Sequence, residues 1–172
     1  MDKQLLNRAR QIQLAVFDVD GVFTDGRLYY GAQGEALKVF HVQDGYGIKA
    51  LLAAGIEIAV ISGRSSPLVS ARMSELGIPH VYQGCNDKLP FFNALLKQLE
   101  LEPRQALCLG DDLPDLPLLQ SAGLACTPPD GHPDLRAAAH WITPRGGGKG
   151  AVRDACDLLL AARGKSTDIA AR

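Results

Sequence analysis

Two aspartates close an apolar run near the start of the chain. In LAVFDVDGVFTDG, Asp18 and Asp20 follow Leu14–Phe17 with one apolar residue between them. Residues i and i+2 of an extended chain point the same way, so both carboxylates face one side at a strand end. Gly21 then allows the backbone to turn beneath whatever they bind. A carboxylate so placed can attack phosphorus and carry an aspartyl phosphate, while a second acid protonates the leaving alkoxide and later activates water. Asp18 and Asp20 fit this pair. Three more polar groups follow apolar runs: Ser62, Gly63 and Arg64 after IEIAVI; Asn86, Asp87 and Lys88 after HVY; Asp111, Asp112 and Asp115 after ALCLG. Up to five carboxylates at one place repel one another unless a cation sits among them. Oxygen donors with no Cys or His cluster favour a hard ion such as Mg²⁺ over zinc. Gly63 permits backbone N–H groups to approach an anion, Ser62 adds a donor, and Lys88 adds charge at a helix start. Positioning and charge neutralisation are what phosphoryl transfer requires.

Groups so far apart in sequence meet only if the elements carrying them share an edge. Short apolar runs at 14–17, 56–61, 80–82, 106–110 and 124–126, with 140–142 a weaker sixth, read as strands. Between them the pattern predicts helices near 45–54, 65–76, 88–99, 113–121 and 149–163. Leu89, Phe92, Leu95, Leu96 and Leu99 form an apolar stripe at helical spacing in the third. Gly55, Gly77 and Gly123 stand where helices would end. Such alternation predicts an α/β fold with a mainly parallel sheet and helices on both faces, and in such sheets ligands gather beyond the carboxyl ends of the strands.

One segment breaks the rhythm. Residues 27–42, RLYYGAQGEALKVFHV, hold two β-rich runs around Gly31–Gly34, which predicts a hairpin projecting from the body. Its Leu28, Tyr29, Tyr30 and Phe40 call for a covering surface, either the parent domain or, in preference, a subunit interface. PRGGGKG (144–150) is rich in glycine and is read as mobile or special in backbone geometry.

The 172 residues suit one domain (1–172) with a substantial core. A net charge of −1 gives no general pull toward nucleic acid or anionic membranes. Cys85, Cys108, Cys126 and Cys156 form no C-x-x-C pair and read as reduced packing residues. The N-terminus lacks the apolar stretch of a signal peptide, and LLAAGIEIAVI is too short and interrupted to span a bilayer. A cytoplasmic protein with no membrane partner is expected.

DVDG, the Ser62 of ISG, Lys88 and GDDLPD resemble the four motifs of the haloacid dehalogenase superfamily of phosphohydrolases. The resemblance implies a Rossmann-like sheet of order 5-4-1-2-3, Asp18 as nucleophile and Asp20 as general acid/base. It implies Mg²⁺ on the Asp18 and Asp111 side chains and the Asp20 main-chain carbonyl, with Ser62 and Lys88 on the phosphoryl group. Asp112 and Asp115 would support the metal and its backbone. Only 41 residues separate Asp20 from Ser62 and 25 separate Ser62 from Lys88, leaving no room for a cap domain. Longer phrases, among them GYGIKALLAAGIEIAVISGR and GGGKGAVRDACDLLL, resemble a capless subgroup acting on sugar acid phosphates. These relatives serve lipopolysaccharide precursor synthesis on an eight-carbon acid; a nine-carbon acid or another sugar phosphate is the alternative substrate, and a non-catalytic oligomerisation module the remaining one. The subgroup implies a homotetramer joined through hairpins. It also implies that Gly146, Gly147, Gly148, Lys149 and Gly150 act as a lid on a neighbouring site. Substrate contacts are implied at Asp20, His41, Val42, Gln43, Asp44, Gly45, Lys49, Gly63, Arg64, Arg72 and Lys88. Arginine and lysine there suit a substrate with a carboxylate and a phosphate. The tail 165–172 is read as frayed.

Overall fold

Six strands lie side by side, every neighbouring pair parallel. They are β1 (Leu14–Phe17), β4 (Glu57–Ile61), β5 (His80–Tyr82), β6 (Ala106–Leu109), β7 (Leu124–Thr127) and β8 (Trp141–Ile142), in the order β5-β4-β1-β6-β7-β8. The expected order is the same sheet read from its other edge, with β8 added beyond the fifth strand. The computed structural model describes residues 2–165; the tail beyond Lys165 lies outside the described residues.

Alternate residues of the strands feed two apolar layers. Ala15, Phe17, Ile58, Val60, Leu107 and Leu109 pack with Ala9, Ile48, Val69, Met73 and Val152. These come from α1 (Lys3–Gln11), α2 (Val42–Ala53), α3 (Pro67–Leu76) and α7 (Ala151–Ala162). Leu14, Val16, Ala59, Ile61, Ala106 and Cys108 face the other way. There they meet the predicted stripe Phe92, Leu95 and Leu96 of α4 (Leu89–Gln98), Leu118 and Leu119 of α5 (Leu116–Ser121), and Leu135 of α6 (Pro133–Ala138). Each Val, Leu, Ile, Phe or Met among them contributes about 1.5–3 kcal/mol on burial. Both faces of β1 and β6 are therefore sealed, and only their carboxyl ends are left for chemistry.

Two helices were not foreseen. α1 carries Leu5, Leu6 and Ala9 against the core, and α6 is a six-residue turn opened by Pro133. The helix expected at 113–121 is split into a 3₁₀ turn, Leu113–Asp115, and α5. Gly77 caps α3 at φ +75° and Gly55 follows α2 at φ +78°, as helix-ending glycines do. Gly123 serves packing instead: a Cβ there would lie 2.0 Å from the Arg104 carbonyl oxygen. All four cysteines are buried free thiols.

The hairpin forms a separate two-stranded sheet, β2 (Tyr29–Gly31) and β3 (Gly34–Leu37). Leu28, Tyr29, Tyr30, Leu37 and Val39 are exposed. Its inner edge is tied back to the body by Glu35 and Lys38. The glycine-rich stretch is packed within its own chain. The Gly148 N–H donates to the Val22 carbonyl at 3.0 Å, the Gly147 N–H to Asp130 Oδ1 at 3.1 Å, and Gly147 and Gly150 are buried.

Candidate active site

β1 ends at Phe17, and the next backbone N–H, that of Asp18, still donates to the Leu109 carbonyl of β6 at 3.0 Å. The chain then doubles back, with the N–H groups of Val22, Phe23 and Thr24 all donating to the Val19 carbonyl. This turn needs glycine at position 21, where φ is +89° and a Cβ would fall on the Asp111 carboxylate. Asp18 and Asp111 can thus approach one another only because residue 21 has no side chain.

Lys88, buried at the start of α4, donates to Asp18 Oδ1 at 2.7 Å and to Asp115 Oδ1 at 2.6 Å. Burial opposes its charge, yet Asp18 and Asp115 outweigh that and hold its pKa above the usual lysine value. Asp115 Oδ2 accepts the N–H groups of Asp111 at 3.2 Å and Asp112 at 3.5 Å. It therefore fastens the loop after β6 to Lys88, and Asp112 closes the 3₁₀ turn by accepting from the Leu113 N–H.

One buried lysine does not balance this group. Burial, reinforced by Asp115, raises Asp18 to about 7; burial, reinforced by Asp18, raises Asp111 to about 8. Oxygens of Asp18, Asp111 and Asp115 lie within 4.8 Å of one another. Carboxylates converging this closely with their charge uncompensated are what a hard divalent cation requires, so the residues fit Mg²⁺.

An open cleft of about 300 Å³ lies over the cluster. Asp18, Asp20, Ser62, Gly63, Arg64, Lys88, Asp111, Asp112 and Asp115 line it, so all four strand-end groups meet as expected. Ser62 is held at the end of β4 by backbone bonds to Tyr82 and Cys85. At Gly63 a Cβ would meet nothing nearer than the Cys85 carbonyl at 3.8 Å, so its size serves the cleft and not the core.

His41, Val42, Gln43, Asp44, Gly45, Lys49 and Arg72 do not line this cleft. Gln43 accepts from Arg145 at 2.9 Å, Asp44 accepts the Arg153 N–H at 2.8 Å, and Arg72 pairs with Glu75 at 2.8 Å. Gly45 backs onto Arg72, whose guanidinium would meet a Cβ at 2.5 Å. Gly147 and Gly148 lie against the turn after Asp20 in their own chain, where a Cβ on Gly147 would reach the Gly21 carbonyl at 1.9 Å, while Gly146 backs onto Asp130 and Gly150 onto Arg145.

Sequence reasoning missed Lys38 and Glu35. Lys38 pairs with Asp20 Oδ1 and, at 3.0 Å, with Glu35 Oε1. Glu35 also accepts from Ser66 Oγ at 2.6 Å and from Arg64 at 3.4 Å. Glu35 and Lys38 stand three residues apart in the hairpin, a spacing that carries no signal of their role.

Fold and site together define the class, a Rossmann-like phosphohydrolase working without a cap domain. Over residues 81–152 the chain matches the haloacid dehalogenase-like hydrolases. The chain belongs to that family. It is 47% identical over 161 residues, 94% of this chain and 86% of the relative, to the 3-deoxy-D-manno-octulosonate 8-phosphate phosphatase of Yersinia pestis, and equally so to that of Escherichia coli. The crystal structure of the Yersinia pestis phosphatase superposes with a TM-score of 0.94 at 45% identity, covering 96% of this chain and 89% of the other. That of the Moraxella catarrhalis phosphatase, in complex with magnesium ion, phosphate ion and a KDO molecule, gives 0.91 at 42% identity, with 94% and 93% covered.

Proposed function

We propose that this chain, as a single domain of its family, hydrolyses 3-deoxy-D-manno-octulosonate 8-phosphate to the free sugar acid and phosphate. The reaction serves lipopolysaccharide precursor synthesis in the cytoplasm. The observation that carries the reading is Asp18 itself: buried at a strand end, clamped by Lys88, facing Asp111, and open to a cleft that Asp20 and Ser62 share. Mg²⁺, held by the Asp18 and Asp111 side chains and the Asp20 carbonyl, would neutralise the crowded carboxylates and phosphoryl oxygens. Asp18 attacks phosphorus while Asp20 hands its proton to the departing sugar oxygen. Asp20 then takes a proton from the water that releases phosphate. Ser62 and Lys88 hold the phosphoryl oxygens, and Asp115 keeps Lys88 and the Asp111 loop in place.

An open cleft needs a second wall to exclude water and select a sugar acid. The exposed apolar hairpin supports a homotetramer that supplies it. His41–Gly45, Lys49 and Arg72 do not reach the cleft of their own chain; of these the exposed Val42, Gln43 and Lys49 are proposed to serve a neighbouring subunit's cleft, while Asp44 and Gly45 are buried in their own chain.

Phosphate release across a panel of eight- and nine-carbon sugar acid phosphates, with Mg²⁺ present, tests the reading. The eight-carbon substrate is expected to show the highest kcat/KM. Faster hydrolysis of a nine-carbon compound would overturn the substrate, and no release from any would overturn the activity.

A further inference from the structure

Lysine is almost never fully buried unless paired, and the side chain of Lys38 is 1% exposed. Its partners are Asp20 Oδ1 and Glu35 Oε1. Lys38 is absent from the cleft lining, whereas Asp20 is part of it. The ammonium therefore holds Asp20 without itself lining the cleft. Glu35 fixes the other end of the link, because it also accepts from Ser66, the N-cap residue of α3, and from Arg64. A chain of polar contacts thus runs from the α3 N-terminus through the hairpin to the carboxylate two residues after Asp18.

We propose that Lys38 is a positioning residue for Asp20 and that Glu35 holds Lys38 in that role; this rests on the reading of Asp20 as general acid and base. Lys38 holds Oδ1, and Oδ2, which Arg64 Nε approaches at 3.5 Å, is the oxygen left to give and take the proton. As the bond from Asp18 to phosphorus forms and the bond to the sugar oxygen breaks, the Oδ2 proton passes to the departing oxygen. As water attacks phosphorus and the bond to Asp18 breaks, that water returns a proton to Oδ2. With Lys38 removed, the carboxylate loses its fixed rotamer and proton transfer loses its geometry, while attack by Asp18 is untouched. A loss of that kind depends on how much the leaving group needs a proton.

The experiment compares wild type, Lys38→Met, Asp20→Asn and the double variant, all with Mg²⁺, on the eight-carbon sugar acid phosphate and on p-nitrophenyl phosphate. The nitrophenolate departs without a proton. Lys38→Met is expected to lower kcat on the sugar substrate about 100-fold, with KM within about threefold. On p-nitrophenyl phosphate the loss, read in the pre-steady-state burst of nitrophenolate that precedes the water step, is expected to stay below about fivefold. In the Asp20→Asn background the same change should cost less than about threefold, because residues acting as a unit are not additive. Equal losses on both substrates, a change confined to KM, or a full additional loss on top of Asp20→Asn would each overturn the proposal. If circular dichroism shows Lys38→Met unfolded, Glu35→Gln carries the same test, with an expected loss of about tenfold on the sugar substrate alone; an equal loss on both, or none, overturns it. Should Asp20→Asn leave hydrolysis of the sugar substrate undiminished, the role of Asp20 falls and the inference with it. That outcome is distinct from failure at Lys38 alone.

Discussion

A carboxylate attacks phosphorus only when ionised, and burial at the end of β1 works against that for Asp18. Without a cation, Asp18 sits near 7 and Asp111 near 8. Both must lose their protons to ligate, so Mg²⁺ binding releases protons and strengthens as pH rises toward 8. The stability sign follows. Both groups have folded pKa values above their unfolded ones, so the cation-free protein loses stability as pH rises from about 4 toward 8. Mg²⁺ should therefore raise Tm more at pH 8 than at pH 6, as read by scanning calorimetry; an equal rise at both would remove the linkage. Asp44 makes a similar case away from the cleft. Burial lifts it to about 6 despite the Arg153 N–H, and its Oδ2 has no partner. Below pH 4 it is neutral in both states, and above 6 the folded state bears the full cost. Asp44→Asn should gain about 3 kcal/mol at pH 7 relative to its difference from wild type at pH 3.5. Urea unfolding at the two pH values measures this; the same difference at both contradicts it.

Elements explain which of these residues could be read in advance. Each strand announces itself as an apolar run, and chemistry in a parallel sheet collects at strand ends. Asp18, Ser62, Lys88 and Asp111 were therefore legible from their positions after such runs. α1 was missed although Leu5, Leu6, Ala9 and Ile12 repeat at helical spacing, a signal that was available. Lys38 was missed for a stronger reason. Its role comes from the fold of a hairpin back onto Asp20, and no local pattern tells a lysine that turns inward from one in water. Gly146–Gly150 left two readings open, mobility or special backbone geometry, and the second holds: Gly148 and Gly150 take φ of +65° and +111°, and Gly147 and Gly148 pack closely on the turn after Asp20. Gly147→Ala places a Cβ against backbone that cannot swing aside, and should cost about 3 kcal/mol or more. A thermal melt within a degree of wild type would show that this turn yields.

At the scale of the whole molecule, the sheet brings four strand ends together but leaves the cleft open, and the hairpin presents Tyr30, Leu37 and Val39 outward. Among the described residues no helix is long and apolar enough to cross a membrane, so a bilayer-spanning helix does not account for that surface. Light scattering should report a tetramer for wild type and smaller species for the Leu37→Glu, Val39→Glu pair; a wild-type monomer with full activity would leave the second wall unexplained. The covalent step is tested most directly by borohydride quenching during turnover with Mg²⁺, which reduces an aspartyl phosphate to homoserine. Peptide mass spectrometry should find homoserine at position 18 in wild type, and none without substrate or in Asp18→Asn, which should be folded and inactive. Rapid turnover with position 18 unmodified, or undiminished hydrolysis by Asp18→Asn, would contradict Asp18 as the nucleophile.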